Sequence, residues 1–308
     1  MPENKKRKTL SSKILKKLKI ASFIIENLKI THNPFMLKYK ILWFLFNLKA
    51  SLASYRYDVH KLGFQKGKKH LKVERIGHLP KQVNESSGLV YRKQDSTLLT
   101  HNDSGGAPHI YQIDLSGKLL NTYPISQAKN IDWEDMSADE QGDIYVGDIG
   151  NNSYQRRDLY IYQINKKIDA VLQRIPIYYP DKQYVPDAEA MFVVQDSIYI
   201  FTKNWDKSGT DLFVRKIGIN ADTLQLKAHI NLRTPITGAA INQQKNKFVL
   251  ISYGKIYYFR IIEHQIDFSN PLYCIKFPHK QTESIAFLDE NVVIITNEQG
   301  EIYRVREN

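Results

Sequence analysis

From residue 71 onward the apolar positions fall in short runs rich in Ile, Val, Tyr and Phe, broken by Gly, Asp, Asn and Pro. Runs of this kind predict strands, and no sustained helical period interrupts them. The runs also recur in a fixed order. Five segments open alike: ESSGLVY at 85–91, EDMSA at 134–138, EAMFV at 189–193, TGAAI at 237–241 and ESIAF at 283–287. Each is followed by a second run (STLLTHND, DIYVGDIG, SIYIFTKNW, KFVLISYG, NVVIITNEQ) and a third (HIYQIDL, DLYIYQIN, TDLFVRKIGI, KIYYFRII, GEIYRVRE). A fourth run closes the first four units: LLNTYPI, IPIYYP, LKAHINL and NPLYCIKF.

Four strands in a unit of about 40–50 residues is the sequence pattern of a propeller blade. The fifth unit stops after three strands, and residues 72–79 form a strand with no unit of its own. Pairing the two completes the last blade and closes the ring, which removes exposed sheet edges. The expected fold is all-β: a five-bladed β-propeller of four-stranded blades over residues 71–308, closed by an N-terminal strand. A basic, helical N-terminal extension occupies residues 1–70.

Charge separates the same two parts. Residues 1–70 hold 17 Lys/Arg against 3 Asp/Glu, whereas the whole chain holds 44 against 32. The body is therefore nearly neutral and carries no basic stripe for nucleic acid. Within the extension, residues 5–30 read either as a basic amphipathic helix suited to an anionic membrane surface or as a disordered basic tail. Residues 36–54 have the order of a signal peptide, with a basic start, the apolar run ILWFLFNL and a small-residue end at Ser51-Leu52-Ala53. Met36 would then be the start, and the protein is expected to be exported, periplasmic or extracellular, or membrane-associated. Eight mostly apolar residues are too few to span a bilayer, which takes about 20. Tyr55 stands where a lipoprotein would carry Cys. The one cysteine, Cys274, lies in an apolar run and reads as a buried hydrophobe.

In a propeller the first strand of every blade lines the channel, and the turn between the second and third strands returns to the face where that strand begins. Ser87, Glu134, Glu189, Thr237 and Glu283 should therefore ring one axis. Three carboxylates and two hydroxyls suit a Ca2+-type ion, which takes oxygen ligands in flexible geometry; no His or Cys at these positions suits zinc or copper. The alternative is a water-filled channel whose carboxylates pair with hydroxyls and backbone groups. The neighbouring turns add His101, Asp103, Asp148, Asn151 and Lys203 as candidate ligand-binding residues, since loops on a rigid scaffold carry most contacts. Lys203 and Arg157 could hold an anion, and Trp133 and Trp205 either line the cleft or pack between blades.

Together ESSGL, HNDSG, DWED, YVGDIGNN, DAEA and ITGA resemble a group of bacterial propellers, the SdiA-regulated and phytase-like esterase propellers, over about 85–290. A more distant likeness is to the calcium-activated apyrases. That family places Ser, Glu, Glu, Ser, Glu on the axis, one per blade, and Ser87, Glu134, Glu189, Thr237 and Glu283 follow the order with Thr for the second Ser. The nucleotide-binding residues of apyrases find no match here.

The reading that follows is a non-catalytic propeller that binds an unidentified small molecule or protein at its acidic face, with Ca2+ on the axis and residues 1–54 available to a membrane surface. The alternative is a metal-dependent phosphate- or carboxyl-ester hydrolase, with Asp103 or Asp148 as the candidate catalytic base. No Ser-His-Asp set or phosphate loop is visible for it, and no nucleic-acid partner is expected.

Overall fold

A computed structural model describes residues 55–308 apart from 68–70, 206–208, 219–222, 278–280 and 308. Residues 5–30 and the leader-like stretch 36–54 lie outside the described residues.

The described chain is a ring of five four-stranded antiparallel blades. Blade 1 runs outward through Ser86–Arg92, Thr97–Asn102, His109–Ile113 and Leu119–Pro124. Blade 2 is Trp133–Ala138, Ile144–Asp148, Leu159–Ile164 and Val171–Ile177. Blade 3 is Ala188–Val194, Ser197–Thr202, Thr210–Lys216 and Gln225–Ile230. Blade 4 is Ile236–Ile241, Lys247–Ser252, Lys255–Arg260 and Pro271–Lys276. Blade 5 takes Thr282–Asp289, Val292–Asn297 and Glu301–Glu307 from the end of the chain and Leu71–His78 from its beginning. That last strand pairs antiparallel with Glu301–Glu307, so the ring closes as the repeat pattern requires. The outer strand of blade 2 starts earlier than its Ile-Pro-Ile run suggests, because Val171–Gln173 adds a bulged turn of pairing ahead of it.

Alternation along each strand sends side chains to the two faces of a blade, and five apolar clusters fill the gaps between neighbours. Leu99, Ile110, Trp133 and Val146 pack blade 1 on blade 2; Phe192, Phe201, Phe248 and Phe259 pack blade 3 on blade 4. Cys274 is fully buried in that second cluster, as a small hydrophobe. The inner strands touch in sequence order around the axis, with the fifth against the first.

A helix, Tyr55–Lys61, and the two-residue strand Gln65–Lys66 sit on blade 4, the strand parallel to Pro271–Lys276. The helix is anchored by a buried ion pair. Asp58 Oδ2 accepts from Lys255 Nζ at 2.5 Å and from Tyr257 Oη at 3.0 Å, and both charged side chains are fully buried. Burial pushes the Asp58 carboxyl up and the Lys255 ammonium down, each opposed by the partner. Removing one member of such a pair strands the other charge in the core. Asp58→Ala should therefore cost about 3–5 kcal/mol of unfolding free energy, while the double replacement Asp58→Leu with Lys255→Met should cost much less. Denaturant melts of the three proteins check this, and equal losses would refute it.

Candidate functional site: the acidic mouth of the channel

Every inner strand carries a register break near its start. The breaks fall between Ser86 and Leu89, Trp133 and Asp135, Ala188 and Ala190, Ile236 and Gly238, and Thr282 and Ser284. The residues skipped include Ser87, Glu134, Glu189, Thr237 and Glu283, the five expected on the axis. A bulge leaves its residue unpaired in the ladder and re-aims the side chain.

A second repeated device brings the turns alongside. In four blades a turn N–H donates to the carbonyl two residues before the bulged position: Asp103 to Glu85, Gly150 to Asp132, Lys203 to Asp187 and Glu298 to Gln281, at 2.8–3.2 Å. Acidic side chains thus arrive from strand starts and turns together. Oxygens of Asp103, Asp132 and Glu134 lie within 4.8 Å of one another, as do those of Glu134, Asp187 and Glu189. Glu283 lies beside Glu298 and accepts from Tyr253 Oη at 3.2 Å. Gly150 makes room for this: a Cβ there would collide with Oε1 of Glu134 and with the Asp132 carboxylate.

Among the described residues the cations acting on this cluster are few. Lys203, 5% exposed, bonds Glu189 directly, and its Nζ lies 4.6 Å from the Trp205 ring centroid. Arg156 is taken up by Asp148 at 2.9 Å. Burial is the largest cause pushing the acids upward, and neighbouring carboxylates add to it. Glu134 and Glu283 rise well above the usual carboxylate range, Asp132 reaches about 6 and Glu189 about 8 even with Lys203 opposing. Burial works against the Lys203 charge, but Glu189, Tyr253 and Glu134 together hold its pKa above the ordinary lysine value.

The other expected residues take distinct places. Ser87 Oγ donates to the Glu134 carbonyl at 2.5 Å and Thr237 Oγ1 to the Thr282 carbonyl at 2.7 Å, so each hydroxyl ties its inner strand to the next. Asp148 accepts the Asp132 N–H at 3.0 Å and, with Arg156, sets the Asp132 loop. Asn151 donates its backbone N–H to Asp187 Oδ1 at 2.7 Å and its amide to the Val185 carbonyl at 2.8 Å, linking blade 2 to blade 3. His101 is fully buried, edge-on to Trp133, and burial lowers its pKa to about 4; it is a neutral wedge between blades 1 and 2. Arg157 donates to the carbonyls of Tyr154, Arg156 and Gln183. The two tryptophans divide: Trp133 is core, and Trp205 stands 40% exposed at the mouth.

Sequence reasoning missed Asp132, Asp187 and Glu298. The signal was present as Asp-x-Glu, twice, at 132–134 and 187–189. In each pair the Asp stands just ahead of its inner strand and the Glu at the bulge, and both come to one mouth. Below the mouth the bore is crossed by Asp135, whose Oδ2 accepts from Met191 N–H at 2.8 Å and Ala239 N–H at 3.3 Å, joining blades 2, 3 and 4.

Fold and mouth together define the class: a five-bladed β-propeller whose axis opens on a buried group of carboxylates. No protein-family model matches the chain, and no curated protein matches it in sequence. Its structure is similar to hydrazine synthase of Kuenenia stuttgartiensis at TM-score 0.41 and 11% identity, over 71% of this chain and 57% of that one. The chain thus spans just over half the length of that protein.

The raised acids fix a pH dependence. A carboxyl whose folded pKa is raised holds a proton that the unfolded chain releases near pH 4, so its contribution falls as pH rises through the folded value. His101 acts in the opposite sense, and only below its unfolded pKa of about 6.5. Between pH 6.5 and 8.5, in chelator, the melting temperature should fall, and Glu189→Gln should flatten the fall. A native protein that gains stability over this window would contradict the electrostatics.

Proposed function

We propose that the acidic mouth binds a hard divalent cation of the Ca2+ type and that the propeller is a binding module, taking a small molecule or protein partner at that face. The observation that carries this reading is the charge imbalance: seven carboxylates (Asp103, Asp132, Glu134, Asp187, Glu189, Glu283, Glu298) around one buried ammonium, Lys203. The donor set is all oxygen, which fits Ca2+ rather than zinc or copper. Glu134, Asp187 and Glu189 would hold the ion, with Asp103 and Asp132 on its other side. The side chains of Ser87 and Thr237 keep lone pairs for an ion while their protons hold the neighbouring blades. The order Ser, Glu, Glu, Thr, Glu resembles that of the calcium-activated apyrases, with Thr for the second Ser, although the ion-holding group drawn here leans on the Asp-x-Glu pairs. Bound cation would supply charge neutralisation and a fixed anchor for an anionic group of the ligand.

Export or membrane association through residues 1–54 belongs to the same proposal, resting on their basic and apolar pattern. Among the described residues no helix is long and apolar enough to cross a membrane.

One observation favours the hydrolase alternative. Asp132, at about 6, has a proton affinity suited to a general base near neutrality, and Asp103 lies beside it. The binding reading is preferred because the charge imbalance speaks directly to a bound cation, whereas a reaction needs a substrate as well.

Calcium at a hundredfold excess over its dissociation constant should stabilise the folded protein by about 2.7 kcal/mol, read as a rise in melting temperature. Glu134→Gln with Glu189→Gln should abolish the rise. No stabilisation of the native protein by calcium would overturn the metal reading. Turnover of nucleoside diphosphates, phosphomonoesters or carboxyl esters that needs calcium and disappears in Asp132→Asn would replace the binding module with the hydrolase.

A further inference from the structure

The acidic mouth lies where the inner strands begin. Where they end, about 20 Å away at the strand rise of roughly 3.3 Å per residue, a second cavity opens on the opposite face. Its volume is about 610 Å³, and each of the five blades contributes to its wall: residues 90–94, 138–142, 193–195, 241–243 with 245, and 287–289. That volume lies within the range of small-molecule sites, about 300–1,000 Å³. Between the two mouths Asp135 bonds the Met191 and Ala239 N–H groups of two other inner strands.

The wall is apolar where it is deep. Leu99, Ile144 and Val193 form buried parts of it, and Val194, Ile241 and Phe287 stand partly exposed around it. Half-exposed apolar side chains gathered from separate blades leave surface that water solvates poorly.

The rim carries both signs of charge. Glu140 pairs with Lys245, while Asp139 and Asp289 are held by neutral donors: Asp139 accepts the N–H groups of Gln141 and Asp143 and the Tyr145 hydroxyl, and Asp289 accepts the Asn291 N–H. Two of its cations are not matched by acids. Lys93 Nζ donates to an amide, Gln243 Oε1, at 3.4 Å, and Lys166 is in no ion pair among the described residues. Both are exposed and line the rim.

The blade 4 turn Gln243–Lys245 also reaches across the opening. It meets blade 1 through Lys93 and blade 2 through Glu140, neither of which is next to blade 4 in the ring. Lys245 holds a left-handed backbone, φ 55°, and Glu290 ties the turn through Asn242 and the Gln244 N–H. The turn narrows the mouth and places amide and ammonium donors over the apolar wall.

We propose that this far mouth is a second binding site, for a small amphipathic anion: an apolar body seated against Val194, Ile241 and Phe287, and an acidic head met by Lys93 and Lys166. The site is independent of the acidic mouth and stands or falls separately from it.

The test uses the full-length protein and two probes, the anion anilinonaphthalene sulfonate and its uncharged counterpart phenylnaphthylamine, titrated by fluorescence and checked by equilibrium dialysis. One sulfonate should bind per chain, at least tenfold more tightly than the neutral probe. Lys93→Glu with Lys166→Glu should weaken the sulfonate at least tenfold and leave the neutral probe unchanged. Val194→Trp should exclude both. If Val194→Trp fails to fold by circular dichroism, the charge-reversal variant still decides. Calcium should not displace the probe. Absence of saturable one-to-one binding, equal affinity for the two probes, or sulfonate binding indifferent to charge reversal would each overturn the proposal.

Discussion

Desolvated negative charge on the propeller axis is the constraint around which this molecule is arranged. Taking one carboxylate out of water is costly unless a partner compensates it, and here the ring geometry forces several into one small volume. Lys203 answers Glu189 and part of the field beyond it. Glu134 and Glu283 meet the constraint by holding protons, as their upward shifts express. A cation from solution is the other available answer.

The fold exacts this arrangement through two small backbone devices. A bulge in each inner strand frees one residue from the ladder, and a turn-to-strand hydrogen bond in four blades brings a turn alongside it. The apolar clusters between blades fix where these devices sit, so the mouth inherits the rigidity of the core. Closure by Leu71–His78 matters for the same reason: an open ring would let blades 5 and 1 separate at the axis, where Ser86, Ser284 and Thr296 join them through hydroxyl contacts.

The blades and their number were legible because the repeat is carried by alternation, a local property, and because the missing fourth strand of blade 5 had a visible counterpart read at 72–79. The five bulged positions stand out in the sequence by their place at the start of each repeat. What the sequence hid was direction. His101 stands beside the turn that carries Asp103, and Asn151 beside Asp148, yet both face inward, one as a wedge beside Trp133 and the other as a link to Asp187. Sequence order cannot distinguish a turn residue aimed at the axis from its neighbour aimed at the core. The helix Tyr55–Lys61 was hidden for another reason: seven residues make too few turns to show a period, and its seat on blade 4 depends on Lys255, almost 200 residues away.

The direct measurement is anomalous diffraction from crystals grown with a lanthanide as a stand-in for calcium. The account predicts one strong peak at the mouth, with carboxylate oxygens of Glu134 and Glu189 at about 2.3–2.6 Å from the ion and Lys203 withdrawn from Glu189. A mouth with no peak at saturating lanthanide, and Lys203 still bound to Glu189, would contradict it.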